Sequence, residues 1–437
     1  MKICVSCGSK NVTPDEVLGA DAVEIRTDIF DNIPMGLLAE GQTGILTFKT
    51  KFDPSVIPEG WTVDVGHEKR PDIRNKVMTS YHDFAFTPHS DDIVRILNGM
   101  DGDIVKGAFA VNSLKDNVSL LEASRSIEKE HVILGMGELG RITRIRQAKL
   151  RNKYTYAYAG EATAPGQFSL SEMMNFGDYC MITGIIGHGI RYTRSPAMHD
   201  AAFAYAGICG KYLVFDTPDL DKLKEMMIGY DIRGMNVTKP HKTDVLRYID
   251  RLDKMASDTG SVNTVVNENG KLNGYNTDVY GIEMTLKKNG VNVKGMRSLI
   301  MGSGGVARSC AYILSNNGSK TVVTGRNMDE VRKIASEFSV NAAERNSVDV
   351  KGYDLIVNCV PLHKGDRMSE YPVNIGEIHS SQIVFDIVYG DTHLYDIASD
   401  RKCTTLRGED VLAYQGIKAF ELFTSKSVPF GVMRDVI

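Results

Sequence analysis

Eight short apolar runs divide the first 179 residues, and their spacing is the tightest constraint on the fold. They are Ile3–Cys7, Ala22–Arg26, Gly44–Phe48, Thr62–Gly66, Lys76–Tyr81, Ile104–Ala110, Val132–Met136 and Tyr154–Ala159. Each has the length of a strand, and charged, helix-prone segments separate them. Eight strands alternating with helices predict a (β/α)8 barrel. The repeat is about 20 residues, whereas such barrels usually take at least ~200 in all. The barrel is therefore compact, with short helices or one helix missing.

In a barrel every strand opens its C-terminal end on one face, and that face carries the chemistry. Polar residues collect at those ends: Glu24 and Arg26 at the second strand, Lys49 after the third, His82 closing the fifth, Lys106 within the sixth, Arg144 beyond the seventh, and Thr163 and Gln167 after the eighth. A lysine inside Ile104-Val-Lys-Gly-Ala-Phe-Ala110 is the feature to explain. Left unpaired, burial would lower its pKa and give a neutral amine, suited to attack a ketone and form a Schiff base. His82, with an ordinary pKa near neutrality, would shuttle protons. The plain alternative is a strand-edge lysine reaching solvent beside a loop histidine. The convergence of so many strand-end polar groups argues against it.

A fresh strand, Met181–Ile186, follows a boundary near Gly177–Met181. Thr193 and Ser195 then flank a helix start at Pro196, where hydroxyls and free N–H groups suit a carboxylate. Asn236-Val-Thr-Lys-Pro-His-Lys242 gathers an amide, a hydroxyl and an ammonium in one turn, with Pro240 fixing the backbone. Gly274-Tyr-Asn-Thr-Asp278 brings an aspartate to another strand end, so Lys242 and Asp278 can share a cleft and hold each other ionised. Further on, Met301-Gly-Ser-Gly-Gly-Val306 breaks a strand and opens a helix, a turn that cradles phosphate. Its candidate cofactor contacts are Gly302, Ser303, Gly304, Gly305 and Val306. The next strand ends in Gly325-Arg326-Asn327. An arginine where an NAD-binding fold places an acid favours a 2′-phosphate, hence NADP(H). This half is organised to move a hydride.

These motifs carry two family resemblances. Glu24-Ile-Arg26, Ser80-Tyr-His82-Asp-Phe84, Val105-Lys106, Met136 to Arg144 and Thr163-Ala-Pro-Gly-Gln167 resemble type I 3-dehydroquinate dehydratase over nearly all of residues 1–178. The resemblance implies an imine on Lys106, His82 as general acid and base, and Glu24, Arg26, Arg144, Thr163 and Gln167 holding the substrate. Lys49 stands where an arginine is usual, and Asp53 roughly where a glutamate orients the histidine. The set Ser195-Pro, Asn236 to Lys242, Val262-Asn263-Thr264, Asn276-Thr-Asp278, the glycine loop and Gln415 resembles shikimate dehydrogenase over residues 181–437. That implies a catalytic Lys242–Asp278 pair, with Thr193, Ser195, Thr238, Asn263 and Gln415 on shikimate and Tyr389 near its carboxylate or the nicotinamide. Thr193 for serine, Asp200 for asparagine, Lys239 for an apolar residue and Gly325 for asparagine are departures.

The expected architecture is a compact (β/α)8 barrel over 1–178 and a two-lobed α/β dehydrogenase over 179–437. In the latter, a substrate lobe (179–284 plus a C-terminal helix, 409–437) flanks a Rossmann-type NADP lobe (285–408). The implied activity is bifunctional: 3-dehydroquinate to 3-dehydroshikimate, then NADPH reduction to shikimate. Two other readings stay open, a catabolic quinate/shikimate dehydrogenase and a barrel that serves only as a binding module. A net charge of -4 without a basic run argues against nucleic acid, and no apolar stretch approaches the ~18 residues of a membrane span. The N-terminus lacks a signal-peptide core, and seven scattered cysteines suit a reducing cytoplasm. Cys4-Val-Ser-Cys7 lacks the second half of a zinc site, so no metal is expected. The partners expected are small-molecule substrates, with a homodimer left open.

Overall fold

The computed structural model describes residues 1–49, 51–66, 70–177, 179–190 and 192–437; Asp178, at the expected boundary, lies outside them. The chain forms two compact units, Met1–Arg191 with Ile208–Arg233, and Tyr192–Gly207 with Gly234–Ile437.

The first unit holds eight parallel strands: β1 (Ile3–Cys7), β2 (Ala22–Arg26), β3 (Thr43–Thr47), β4 (Thr62–Gly66), β5 (Val77–Asp83), β6 (Ile104–Ala110), β7 (Glu130–Met136) and β8 (Thr155–Ala159). They run in the order β7-β6-β5-β4-β3-β2-β1-β8. Each lies within two residues of its apolar run, because strands covered on both faces select β-branched and apolar side chains without alternation. Cys4, Ala22, Ile45, Met78, Ile104 and Val132 fill one interior layer. Between β7 and β8, at the two ends of the order, the side chain of Asn152 takes the part of a strand. Its amide oxygen accepts from the Ile133 N–H at 2.7 Å, and its NH2 donates to the Ile133 carbonyl at 2.7 Å. Lys153 N–H adds a bond to the His131 carbonyl at 2.8 Å.

The compactness comes from the helices. Pro14–Val17 is a single turn, Met35–Leu37 and Pro54–Val56 are 3₁₀ turns, and no helix stands between β4 and β5 among the described residues. Among the described residues of this unit, only Ser90–Gly99 and Leu114–Ser126 reach ten residues or more. This unit also contains a parallel pair, β9 (Met181–Gly187) and β10 (Gly210–Asp216), and the helix Leu223–Gly229. Behind that helix, Tyr230 is buried and donates its hydroxyl to the Asn117 carbonyl at 2.7 Å, and Arg146 Nε donates to the Tyr230 carbonyl at 2.9 Å.

The second unit contains β11 (Ile232–Val237, its first two residues in the other unit), β12 (Arg251–Leu252), β13 (Thr264–Glu268) and β14 (Lys271–Tyr275), with β11–β13 and β13–β14 antiparallel. It also carries a six-stranded parallel sheet: β15 (Arg297–Met301), β16 (Lys320–Thr324), β17 (Asn341–Ala343), β18 (Leu355–Asn358), β19 (Ile383–Asp386) and β20 (Thr404–Arg407), in the order β17-β16-β15-β18-β19-β20. The chain runs outward from β15 to β17 and then crosses back to β18. That reversal makes the crevice beside β15 the place where a doubly wound sheet binds its ligand. The helix Gly408–Thr424 packs against Thr277–Lys288 so closely that a Cβ on Gly281 would come within 2.7 Å of the Val411 carbonyl oxygen. No helix among the described residues is long and apolar enough to cross a membrane.

Replacing Asn152 by alanine should leave both polar groups of Ile133 without partners and cost about 2 kcal/mol. Faster amide exchange at Ile133 and a lower urea midpoint are the expected results. Unchanged exchange would show that β7 and β8 are held together by other means.

Candidate active sites

The barrel strands open onto a cavity of about 310 Å³ lined by Glu24, Arg26, Lys49, His82, Lys106, Arg144, Thr163 and Gln167, together with Asp28, Phe84, Met136 and Tyr156. The strand-end polar residues singled out in the sequence are therefore at one place. Lys106 is buried at its floor. Nζ donates to Asp64 Oδ2 at 3.0 Å and to Glu24 Oε1 at 3.3 Å. Burial works against its charge, but Asp64 and then Glu24 outweigh burial and hold the ammonium above the usual lysine range. This corrects the expectation of an unpaired lysine with a lowered pKa. The physical reason is Asp64, which the sequence reading passed over as part of an apolar run. Strand register places Thr47 beside Asp64 and Ser80 beside Lys106, and the Ser80 hydroxyl donates to Asp64. Burial alone would raise Glu24, yet Lys106 and hydrogen bonds from Ser6 and Thr47 bring it down to about 2.

His82, at the end of β5, lies parallel to the Phe84 ring, with centroids 6.0 Å apart. Burial, then the charges of Lys106 and Lys49, lower its pKa to about 3. The imidazole is thus neutral at pH 7, and not poised near its ordinary value as the sequence suggested. Asp53 serves elsewhere, accepting from the Ser55 N–H at 2.9 Å and Ser55 Oγ at 2.6 Å at the start of a 3₁₀ turn. Arg26 is partly committed, its Nε and Nη2 donating to Asp28 at 3.1 and 2.7 Å. Arg144 is 1 % exposed; Nη1 donates to the Tyr156 carbonyl at 3.2 Å, while Nε is buried with no partner. A buried guanidinium with spare donors facing a cavity is suited to an anion. The Gln167 amide oxygen accepts from the N–H groups of Thr163 and Ala164 at 2.8 and 3.0 Å, which fixes the amide that lines the cavity. Cys4 and Cys7 are buried residues of β1.

In the second unit Lys242 Nζ meets Asp278 Oδ2 at 2.5 Å. The Lys239–Pro240 peptide is cis in the turn that carries Lys242, and Thr238 opens that turn by accepting from the His241 N–H at 2.9 Å. Asn263 organises the acid: Nδ2 donates to Asp278 Oδ1 at 2.8 Å and to Thr277 Oγ1 at 3.0 Å, and Oδ1 accepts from the Thr277 N–H at 2.7 Å. Gln415 Oε1 stands 3.4 Å from both Asn263 Nδ2 and Thr277 Oγ1. Thr193 and Ser195 form a second hydroxyl pair, 3.2 Å apart, at the start of the helix Ser195–Ala206. Tyr389 is half-buried; burial raises its pKa and the nearby Arg194 opposes the rise.

The glycine loop lies between β15 and the helix Gly305–Asn316. Gly302 has φ +120° and packs against Cys359, a conformation that favours glycine. Ser303 and Val306 flank Gly304 and Gly305, and the space where a Cβ of Gly304 would sit is open. A Cβ on Gly305, by contrast, would lie 3.1 Å from Lys242 Cδ, so the loop and the lysine are direct neighbours. Arg326, at the end of β16, is exposed, and no ion pair engages it among the described residues. An open glycine cradle at a helix N-terminus, with a free arginine at the next strand end, fits a dinucleotide bearing an extra phosphate.

Comparison with known proteins agrees with this geometry. The family model for the shikimate dehydrogenase substrate binding domain matches residues 185–265, and that for the shikimate 5'-dehydrogenase C-terminal domain matches 408–437. A curated shikimate dehydrogenase (NADP(+)) from Methanococcus maripaludis is 33% identical over 269 residues, 59% of this chain and 96% of the relative. The chain belongs to the shikimate dehydrogenase family. Ahead of the family's region it carries a type I 3-dehydroquinase domain, whose model matches residues 62–179. The model described as NADP oxidoreductase, coenzyme F420-dependent, matches 298–388, over the glycine loop and most of its sheet. Among solved structures, shikimate dehydrogenase from Aquifex aeolicus shares 30% identity with a TM-score of 0.56, over 60% of this chain and 98% of that one. A quinate dehydrogenase from Corynebacterium glutamicum in complex with NAD shares 27% identity with a TM-score of 0.55, over 59% and 98%.

Within this family's chain, sequence reasoning missed Asp64, Tyr156 and Thr277. Asp64 had a signal: in Thr62-Val-Asp-Val-Gly66 an acid sits in a strand whose other residues are apolar or small, as Lys106 does in its own.

The shifts give a pH dependence. His82 has a folded pKa of about 3 against 6.5 ordinarily, so between those values the unfolded chain binds a proton that the fold refuses. Stability therefore falls as pH drops from 6.5 towards 3, by up to about 1.4 kcal/mol per pH unit from this group. Glu24, at about 2 against 4.5, contributes stability above pH 4.5 that is lost as pH falls towards 2. His82→Asn should reduce the loss of thermal stability between pH 6.5 and 4.5; identical pH curves for both proteins would contradict a neutral buried imidazole.

Proposed function

We propose that the chain performs two consecutive reactions: dehydration of 3-dehydroquinate to 3-dehydroshikimate in the barrel, residues 1–178, and NADPH-dependent reduction of that ketone to shikimate in residues 179–437. The observation that carries this is a buried lysine bracketed by two carboxylates beneath a cavity with an arginine for an anion. A separate Lys–Asp pair against a dinucleotide loop completes the second site.

In the barrel, Arg144 takes the substrate carboxylate, Gln167 and Thr163 hold hydroxyls, and Lys106 adds to the ketone. Condensation of an ammonium with a ketone yields a protonated imine and one water, with no net proton change. The imine draws electrons from the adjacent C–H bond, whose proton passes to the neutral His82. The protonated imidazole then returns the proton to the departing hydroxyl, and hydrolysis frees Lys106.

In the second site, NADPH supplies a hydride when bound. Gly302 to Val306 would hold its pyrophosphate and Arg326 its 2′-phosphate. Lys242 stands where negative charge develops on the ketone oxygen and supplies the proton. Asp278, fixed by Asn263, aims that ammonium. Gln415, Thr193, Ser195, Thr238 and Tyr389 would hold the ring. Arg326 favours this over a catabolic quinate dehydrogenase using NAD. The seven cysteines, none in a disulfide, suit the cytoplasm.

Supplying 3-dehydroquinate and NADPH to the intact chain should yield shikimate. Lys242→Ala should stop at 3-dehydroshikimate, its reduction slowed at least ~10²-fold. Lys106→Ala should fail on 3-dehydroquinate yet reduce added 3-dehydroshikimate. If either folded variant loses both reactions, two independent sites is the wrong reading. Arg326→Ala should shrink the preference for NADPH over NADH by roughly ten- to a hundredfold. Equal use of both cofactors by the unaltered chain would remove the role given to Arg326.

A further inference from the structure

The roles above leave a buried ring that lines the barrel cavity without a task. Tyr156, on β8, is 2 % exposed, and its ring centroid lies 4.1 Å from Lys106 Nζ. Its hydroxyl is engaged elsewhere, donating to Met78 Sδ at 3.6 Å. The face of the ring, not its oxygen, meets the nitrogen. Asp64 and Glu24 supply the other two partners of Nζ, at 3.0 and 3.3 Å.

We propose that Tyr156 is a further catalytic residue of the barrel, whose ring face stabilises the positive nitrogen of the imine on Lys106 and keeps that imine protonated. The inference rests on the Schiff-base reading above. In the step concerned, the C–N bond forms and the carbonyl oxygen leaves as water with two of the ammonium protons. The nitrogen keeps one hydrogen and the charge. Condensation leaves one N–H where the ammonium had three, so the imine has fewer hydrogen bonds with which to offset the loss of the ring face, and the ring favours the imine over the ammonium.

The carboxylates alone do not secure this state. Each attracts the charge, but an imine keeps a single N–H, so a hydrogen bond can hold it to only one of them at a time. An aromatic face attracts a cation through its quadrupole and has no site to accept a proton. Burial, and then the neighbouring Cys4, push the Tyr156 hydroxyl well above its ordinary range, so the ring stays a neutral phenol.

The test uses the full chain with Tyr156 replaced by phenylalanine and by mono-, di- and trifluorinated phenylalanines. These keep the ring's shape while draining its face of electron density. Each protein is equilibrated with sub-saturating 3-dehydroshikimate and reduced with borohydride, and the fraction modified at Lys106 is read by mass spectrometry. Tyr156→Phe should match the unaltered chain. The trapped fraction should then fall stepwise with fluorination, to roughly a tenth for the trifluorinated ring. Tyr156→Leu should fall as far, while NADPH-dependent reduction by the same proteins stays constant. A flat fluorination series overturns the proposal, as does a full loss in Tyr156→Phe, which would place the effect in the hydroxyl. No adduct on Lys106 of the unaltered chain during active dehydration would overturn the Schiff-base reading itself, and this inference with it.

Discussion

The barrel depends on one buried triad, Lys106 between Asp64 and Glu24. Removing three ionised groups from water costs several kcal/mol for each, and only close pairing with full hydrogen bonding offsets that. The strands supply both. Asp64 comes from β4 and Glu24 from β2, and hydroxyls from β3 and β5 occupy further acceptor positions on the two carboxylates. Pairing across five neighbouring strands, β2 to β6, thus demands one register throughout, because a slip of one residue would turn each group to the opposite face. The same interior that lines the cavity fixes the alignment of the strands that build it.

This also explains how short connections suffice. A barrel usually gains much of its stability from a complete ring of helices. Here several are single turns, and the Asn152 amide stands in for backbone between β7 and β8. The interior charge network and the apolar layer beneath it do not require long helices outside, only strands in the correct order.

Much of this was legible in the sequence because of how each signal arises. Strands buried on both faces must be apolar, so all eight runs stood out, and polar residues at their ends converge by the geometry of a barrel. The glycine loop was legible because its backbone must leave room for a ligand. Asp64 was not, since a single acid among valines has no visible partner until the strands are registered, and with it went the protonation of Lys106. A lysine in an apolar strand has two opposite outcomes, lowered or raised, and the neighbour 42 residues away decides between them. Gln415 was readable only through family likeness. Its approach to Asn263 depends on the packing of two helices, which Gly281 permits and no local pattern announces.

The two lysines show why similar groups need different surroundings. Lys242 has a single close acid, with the other oxygen of Asp278 held by Asn263. A proton donor must keep its direction constant while charge grows on the ketone, and one fixed acid beside an open face provides that. In the proposed dehydration Lys106 becomes part of the substrate and is then released. Its nitrogen exchanges two hydrogens for a carbon and gives up the charge when electrons flow in from the C–H bond. Two carboxylates, each restrained by its own hydroxyl donor, attract the cation from two directions and leave the nitrogen its ring-side face. The difference between one acid and two matches the roles proposed for the nitrogen: in one site it lends a proton, and in the other it is the reacting atom.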